Sequence, residues 1–363
     1  MNQHMKSKNN ISVYTRYSRL GASSRVRFFQ FIDGSFSNSS LFFDVDSLFD
    51  SNYLNKIYNK RRVSLFSLIG YYLSRLRRIL LTDKNKVLWI EKELFPYTPA
   101  FVERILLNRK KYILDYDDAT FHTYDCHKSK WVRLILGKKI DSLMAGADLV
   151  VVGNNYLYRR ALDSGAKNIV IVPSVIDLDR YSVEEKKRVN DDSSVVIGWI
   201  GSPGSQHLLK SVLPALKELA KTRSIKFRFV GVSNFSTDGL DAELVPWNEN
   251  TEVDVINSFD IGIMPVQNEP FQRGKCGFKL IQYMACSKPV LGSPVGFNMD
   301  VVNHGVNGFL PESDKEWVNY AQQLIDNPDL RAEMGRVGRE RVENNYCIQA
   351  VSPVLEKHLI SVC

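Results

Sequence analysis

Residues 259–310 read FDIGIMPVQNEPFQRGKCGFKLIQYMACSKPVLGSPVGFNMDVVNHGVNGFL, and this stretch decides the fold. Residues 260–264 are a short apolar run closed by Pro265, the pattern of a strand buried in a parallel sheet. A polar loop, 266–276, carries one acid, Glu269, and two bases, Arg273 and Lys275. Gly277 opens a helical segment over 278–286, and 289–292 restarts as a strand. Strand, loop, helix and strand make the repeating unit of a doubly wound α/β domain.

In such sheets ligands collect beyond the carboxyl ends of the strands. A helix N-terminus there offers unpaired N–H groups and partial positive charge to a phosphate. On a helix begun at Gly277, Lys279 and Gln282 are three apart and share a face predicted to be wet, with Tyr283 beside them. Leu280 and Met284 supply the apolar pair on another face. One cation and one amide on the wet side suit a nucleotide diphosphate with its ribose. Lys279 alone is equally an ordinary surface lysine; the ligand reading comes from the loop, glycine, helix and second strand together.

The run 273–296, RGKCGFKLIQYMACSKPVLGSPVG, resembles the donor-site signature of the family 4 (group 1) retaining glycosyltransferases with the GT-B fold. That signature carries two glutamates eight residues apart. Gln282-Tyr283-Met284-Ala285 matches the second element with glutamine in place of glutamate. The first acid falls at Gly274, with Glu269 or Arg273 as substitutes from the longer loop.

The resemblance implies an α/β GT-B architecture of two Rossmann-like doubly wound domains facing an interdomain cleft. Residues 1–180 are the expected acceptor-side domain and 181–345 the nucleotide-sugar-binding domain, with a terminal helix, 346–363, crossing back to the first. The implied activity is retaining transfer of a sugar from a nucleotide-sugar to a glycan or lipid-linked glycan, in surface polysaccharide biosynthesis. No metal is expected, and no cofactor beyond the nucleotide-sugar co-substrate. Carried over as donor-binding are Gly201, Ser202, Glu269, Arg273, Lys275, Gly277, Phe278, Lys279 and Gln282, with Lys279 stabilising the leaving diphosphate. Gly21 is carried over to the acceptor. The departures at Gly274 and Gln282 leave two alternatives: a non-catalytic nucleotide-sugar-binding subunit of the same fold, and a nucleotide-sugar epimerase.

The first half supplies its own candidates. Residues 11–14 predict a strand, followed by a polar turn through Gly21 and a helix over 25–32. The turn is no GxGxxG fingerprint, so no NAD site is expected there; a turn needing positive φ is the simpler reading of Gly21. Residues 87–90 are the next strand, ending in Glu91 and Glu93, and 112–114 lead into Asp115-Tyr116-Asp117-Asp118. Three acids beyond a strand end are candidates for a catalytic carboxylate, Asp117 first, or for a metal site. The alternative makes them solvated acids, with Asp118 as an N-cap. His122 and His127 are five apart and do not share a helical face, so they are poor ligand candidates. Residues 184–194 are polar and charged, as a linker would be. The second domain restarts at 195, and its loop 201–206 precedes a helix over 208–221; backbone amides of such a loop can approach a phosphate.

Composition bounds the class. The 363 residues are 44% hydrophobic and 24% charged, as in soluble globular proteins. Residues 1–10 lack the apolar core of a signal peptide. The five cysteines, Cys126, Cys276, Cys286, Cys347 and Cys363, show neither disulfide nor zinc spacing, which fits a cytoplasmic location. Lys and Arg number 28 against 15 Asp and Glu in residues 1–172, but 20 against 25 in 173–363. A basic first half attracts phosphate-bearing acceptors or an anionic membrane surface. Its basic clusters are not interleaved with aromatics, so no nucleic-acid partner is expected. Residues 63–81 are apolar at helical period but broken by Arg75, Arg77 and Arg78, so they cannot comfortably span a bilayer. A peripheral helix on the inner face of the membrane and a solvated charged face both fit them.

Overall fold

The computed structural model describes residues 9–37, 39–59, 61–182 and 194–363. It divides into two units, residues 1–174 with 351–363, and residues 175–350. The sequence reading had drawn these lines at 180 and 345. Residues 184–193 of the expected linker lie outside the described residues.

The first unit is built on β1 (Asn9–Tyr17), β2 (Leu41–Phe49), β3 (Val87–Glu91), β4 (Tyr112–Tyr116), β5 (Leu149–Val152) and β6 (Ile169–Ile171). They form one parallel sheet in the order β2-β1-β3-β4-β5-β6. β3, β4 and β5 are buried at every position. That is why they read as unbroken apolar runs rather than alternating ones. Leu88, Ile90, Leu114 and Val150 pack with Ile79, Leu107 and Leu136, which come from the helices Leu65–Leu81, Ala100–Leu107 and Lys130–Leu136. These helices therefore cover the same face of the sheet.

Several expectations change here. The helix over 25–32 is instead one turn, Ala22–Ser24, followed by wide-turn segments Arg25–Phe29 and Phe31–Ser35. Gly21 has φ −76, so it does not serve a left-handed turn. Its constraint is room, because a Cβ there would overlap the Cβ of Tyr17. Arg75 does not join a surface cluster. It is 1% exposed, with Nε 2.6 Å from Asp46 Oδ2 and a nitrogen donating to the Thr15 carbonyl at 2.7 Å.

The second unit carries β7 (Val195–Ile200), β8 (Ile225–Val230), β9 (Ala242–Val245), β10 (Ile261–Met264), β11 (Val290–Gly292) and β12 (Gly308–Phe309). The order is β12-β11-β10-β7-β8-β9, again parallel. The expected helix over 208–221 is a tight turn, Gln206–Ser211, followed by a helix Leu213–Thr222, with Pro214 pre-set for its first turn. In each sheet the chain order reverses once, at β1/β3 and at β7/β10, which is where such folds leave a crevice.

The helix Phe278–Ala285 is locked onto β10 through Gly262, where a Cβ would overlap the Tyr283 ring. Gly262→Ala is expected to lower the stability of the protein by about 1–3 kcal/mol, the usual cost of overpacking. Chemical denaturation of the two proteins measures it; an unchanged midpoint would mean that Tyr283 can move aside.

Candidate functional site

The reversal point of the second sheet is built around Tyr283. β7 and β10 pair through Ile197, Gly198, Ile261 and Gly262, and then diverge. The Tyr283 hydroxyl bridges the gap, accepting from Ile200 N at 2.9 Å and donating to the Ile263 carbonyl at 3.2 Å. This fixes the start of its helix at the carboxyl ends of both strands. Gly277, at φ +58, turns the chain into that helix, and no side chain caps its first turn. Glycine alone adopts this conformation without strain.

Lys279 sits one residue into the helix, half-buried, with Nζ 5.6 Å from the centre of the Trp199 ring. The same ring lies against Gly201, where a Cβ would overlap it. The glycine loop and the lysine thus share Trp199 between them. Burial, with Lys275 adding repulsion, pushes the Lys279 ammonium down to about 7. Among the described residues no carboxylate forms an ion pair with it.

The remaining predicted donor residues divide. Glu269 and Arg273 are exposed, at the two ends of the short helix Pro270–Arg273, and Arg273 donates to Asn268 at 2.8 Å. Lys275 lies over the Phe271 ring at 5.8 Å. Phe278 is half-buried, and Ser202 is exposed with its N–H donating to Ser205 Oγ at 3.1 Å. Gln282 departs from expectation. It is 4% exposed and its amide donates to the Tyr181 hydroxyl at 2.8 Å, which in turn donates to Glu252 at 2.7 Å; Trp247 donates to the same carboxylate at 2.6 Å. The predicted wet face therefore holds Lys279 but not Gln282, because Tyr181 packs over the helix at Gln282 and takes its amide.

The reversal point of the first sheet gathers charge instead. Asp115 belongs to β4 itself and forms a buried ion pair with Arg27 at 2.7 Å. Burial still pushes the Asp115 carboxyl up. Asp117 follows the strand. Ser23, two residues past Gly21, donates to it at 2.5 Å, and Lys92 Nζ lies 3.0 Å away. Burial opposes ionisation of Asp117, but Lys92, the Ser23 hydrogen bond and Arg27 outweigh it and bring the carboxyl to about 2. Asp118 is not an N-cap. It pairs with Lys92 at 2.6 Å and accepts from Thr120 at 2.6 Å, while the next helix, His122–Asp125, begins after Phe121. Glu91, 1% exposed, accepts from Arg16 N and Ser24 Oγ.

Lys92 is the residue that sequence reasoning missed. It stands between Glu91 and Glu93 at the end of β3 and takes φ 63, a conformation that costs a non-glycine residue of order 1 kcal/mol or more. A lysine flanked by two acids at a strand end was the available signal. As to metals, His122, Asp125 and Cys126 bring ligand atoms within 4.8 Å of one another. Asp125 is already paired with Arg160 at 2.9 Å and hydrogen-bonded to His122, which weakens this cluster as a metal centre.

Two parallel six-stranded sheets with flanking helices define a two-domain α/β protein of the GT-B class. Solved structures share the fold: Anabaena HepE in complex with UDP, at TM-score 0.69 and 14% identity over 97% of this chain and 100% of that one, and sucrose-phosphate synthase from Thermosynechococcus elongatus, at 0.73 and 16% over 98% and 100%. At these identities the likeness is one of fold. Residues 194–327 match the family described as Glycosyl transferases group 1. The capsular polysaccharide biosynthesis glycosyltransferase CapM of Staphylococcus aureus is 27% identical over 194 residues, 49% of each chain. The D-inositol 3-phosphate glycosyltransferase of Pseudarthrobacter chlorophenolicus is 25% identical over 152 residues, 41% of this chain and 35% of that one. The matched stretches thus span half or less of these relatives' length.

The Asp117 carboxyl gives a pH prediction. A carboxyl whose folded value lies below its ordinary 3.8 adds stability that is complete above that value and lost as pH falls toward about 2. Lys92→Met is expected to raise the Asp117 titration above its value of about 2, read by carbon NMR of the side-chain carboxyl, and to shift acid unfolding to higher pH. Titration at about 2 in the variant would show that Lys92 is not what holds it down.

Proposed function

We infer that the protein is a retaining glycosyltransferase that moves a sugar from a nucleotide-sugar to a glycan or lipid-linked glycan. Surface-polysaccharide assembly at the cytoplasmic face of a membrane is the proposed setting, in keeping with the CapM relative. No helix among the described residues is long and apolar enough to cross a membrane. The observation that carries the reading is the Lys279 ammonium, partly desolvated and without a paired carboxylate among the described residues, at a helix start that no side chain caps. A diphosphate there would supply the missing counter-charge and accept from the first N–H groups of the helix.

In this reading Lys279 stabilises the charge that develops on the leaving diphosphate, the kind of contribution that preorganised donors make most strongly. Gly201 and Ser202 let backbone approach the donor, and Arg273 and Lys275 add positive charge from the loop. The first unit supplies acceptor recognition from Gly21, Ser23 and Asp117. At a value near 2, Asp117 is too weak a base to keep a proton at neutral pH, so its part is to accept a hydrogen bond from the incoming hydroxyl. The proton then goes to an oxygen of the departing diphosphate, on the face where the new bond forms. The proposed reaction uses no metal and no cofactor other than the nucleotide-sugar.

Lys279→Ala is expected to weaken nucleotide-sugar binding or turnover by about 10- to 1000-fold. The pH dependence has a definite sign. Bound phosphate favours the charged ammonium, so affinity is highest below pH 7, where Lys279 is already protonated, and falls by up to about tenfold per pH unit above it. Calorimetry with UDP-glucose at pH 6, 7 and 8 measures this. A flat profile together with wild-type affinity in Lys279→Ala would remove the donor from this crevice. Isomerised donor, or binding without transfer to any acceptor, would favour the epimerase or the binding subunit.

A further inference from the structure

The helices Leu65–Leu81, Ala100–Leu107 and Lys130–Leu136 all send apolar side chains into one core, yet each is also apolar on the side away from it. On the first, Phe66 is 88% exposed, and Ile69, Leu73 and Leu80 follow it at spacings of three, four and seven on the same outer stripe. On the second, Phe101 and Ile105 are exposed one turn apart. On the third, Trp131, Leu134 and Ile135 are all exposed, Leu134 at 76%. Single exposed apolar residues need no explanation, but a series of them along three helices packed on one core does.

The charges on these helices are of one sign. The sequences LFSLIGYYLSRLRRILL, AFVERILL and KWVRLIL contain a single acid, Glu103. Glu103 is 1% exposed and paired inside the unit with Lys139 at 2.8 Å. The exposed charges are cations: Arg77, Arg104, Lys130 and Arg133, with Arg78 paired to Asp44 of β2, and Arg62 and Lys138 flanking them. Apolar side chains among cations, with no exposed acid on any of the three helices, match a surface whose headgroups are negative and whose interior is hydrocarbon.

We propose that these three helices form one docking face for an anionic lipid bilayer, with Phe66, Leu73, Trp131 and Leu134 entering the acyl region and the arginines and lysines seated among the headgroups. The proposal gives the membrane location of the proposed transferase a specific surface, and it rests on that reading only for the setting, not for the geometry. Trp131 suits the boundary especially, with Lys130 Nζ 5.7 Å from its ring; an amphipathic ring favours the water–lipid interface.

The test is sedimentation of the full chain with vesicles of phosphatidylglycerol or of phosphatidylcholine alone. Binding is expected to the anionic vesicles at low salt and to weaken as salt rises. Phe66→Ser/Leu73→Ser and Trp131→Ser/Leu134→Ser should each weaken it by about tenfold or more, and Arg62→Glu/Lys130→Glu likewise. Because these side chains are exposed, all three variants should keep the wild-type melting temperature and its rise with UDP-glucose. That second readout separates the docking face from the donor site: its loss would implicate the transferase reading, not the surface. Equal binding to neutral vesicles, or undiminished binding by the serine variants, would overturn the proposal. So would self-association without vesicles that the same variants abolish, which would make the face a contact between copies of this chain.

Discussion

Charge taken out of water needs a compensating partner, and the strand ends of this protein are organised by where those partners come from. In the first unit the chain supplies them. Lys139, with no exposed side chain, lies between Glu93 at 2.7 Å and Glu103 at 2.8 Å; Arg27 pairs with Asp115, and Lys92 with Asp117 and Asp118. Removing one member of such a pair strands the other, which typically costs about 3–5 kcal/mol. These pairs tie the ends of β3 and β4 to each other and to the segment Arg25–Phe29, and Arg16 of β1 joins them by pairing with Glu93 at 2.5 Å.

The second unit is arranged the other way. Its reversal point holds Lys279 against Trp199, with another cation, Lys275, as the nearest charge acting on it. The geometry there is set by uncharged contacts: the Tyr283 hydroxyl between Ile200 and Ile263, the positive φ of Gly277, and the buried chain from Gln282 through Tyr181 to Glu252. Among the described residues no carboxylate pairs with Lys279. In the first unit Asp117, held ionised by Lys92, accepts a hydrogen bond from the Ser23 hydroxyl.

The sheet architecture was legible because parallel strands buried on both faces must be apolar throughout, and their turns need glycine, proline and polar residues. β3, β4 and β10 stand where the apolar runs stand, and Gly277 opens its helix as its position suggested. What the linear pattern could not carry was direction. Lys279 and Gln282, three apart, looked like one wet face, but the helix packs so closely that only Lys279 clears its surroundings. The three arginines of Leu65–Leu81 looked alike, and only Arg75 turns inward, drawn by Asp46 and the Thr15 carbonyl.

The sequence by itself determined two doubly wound parallel sheets, the position of a helix start at Gly277, and a basic first half, because each of these is a property of local pattern or of composition. The tertiary structure alone decided that Lys92 would reach both Asp117 and Asp118, that Trp199 would join Gly201 to Lys279, and that Gln282 would be spent on Tyr181. These residues are far apart in the chain or hidden by a helix face, and their partnerships exist only once strand order has brought the carboxyl ends together. Burial and neighbouring charge then act on the assembled groups: Lys92 and Ser23 bring Asp117 to about 2 against the effect of burial, and burial itself brings Lys279 to about 7; no spacing of letters encodes the surroundings of a side chain.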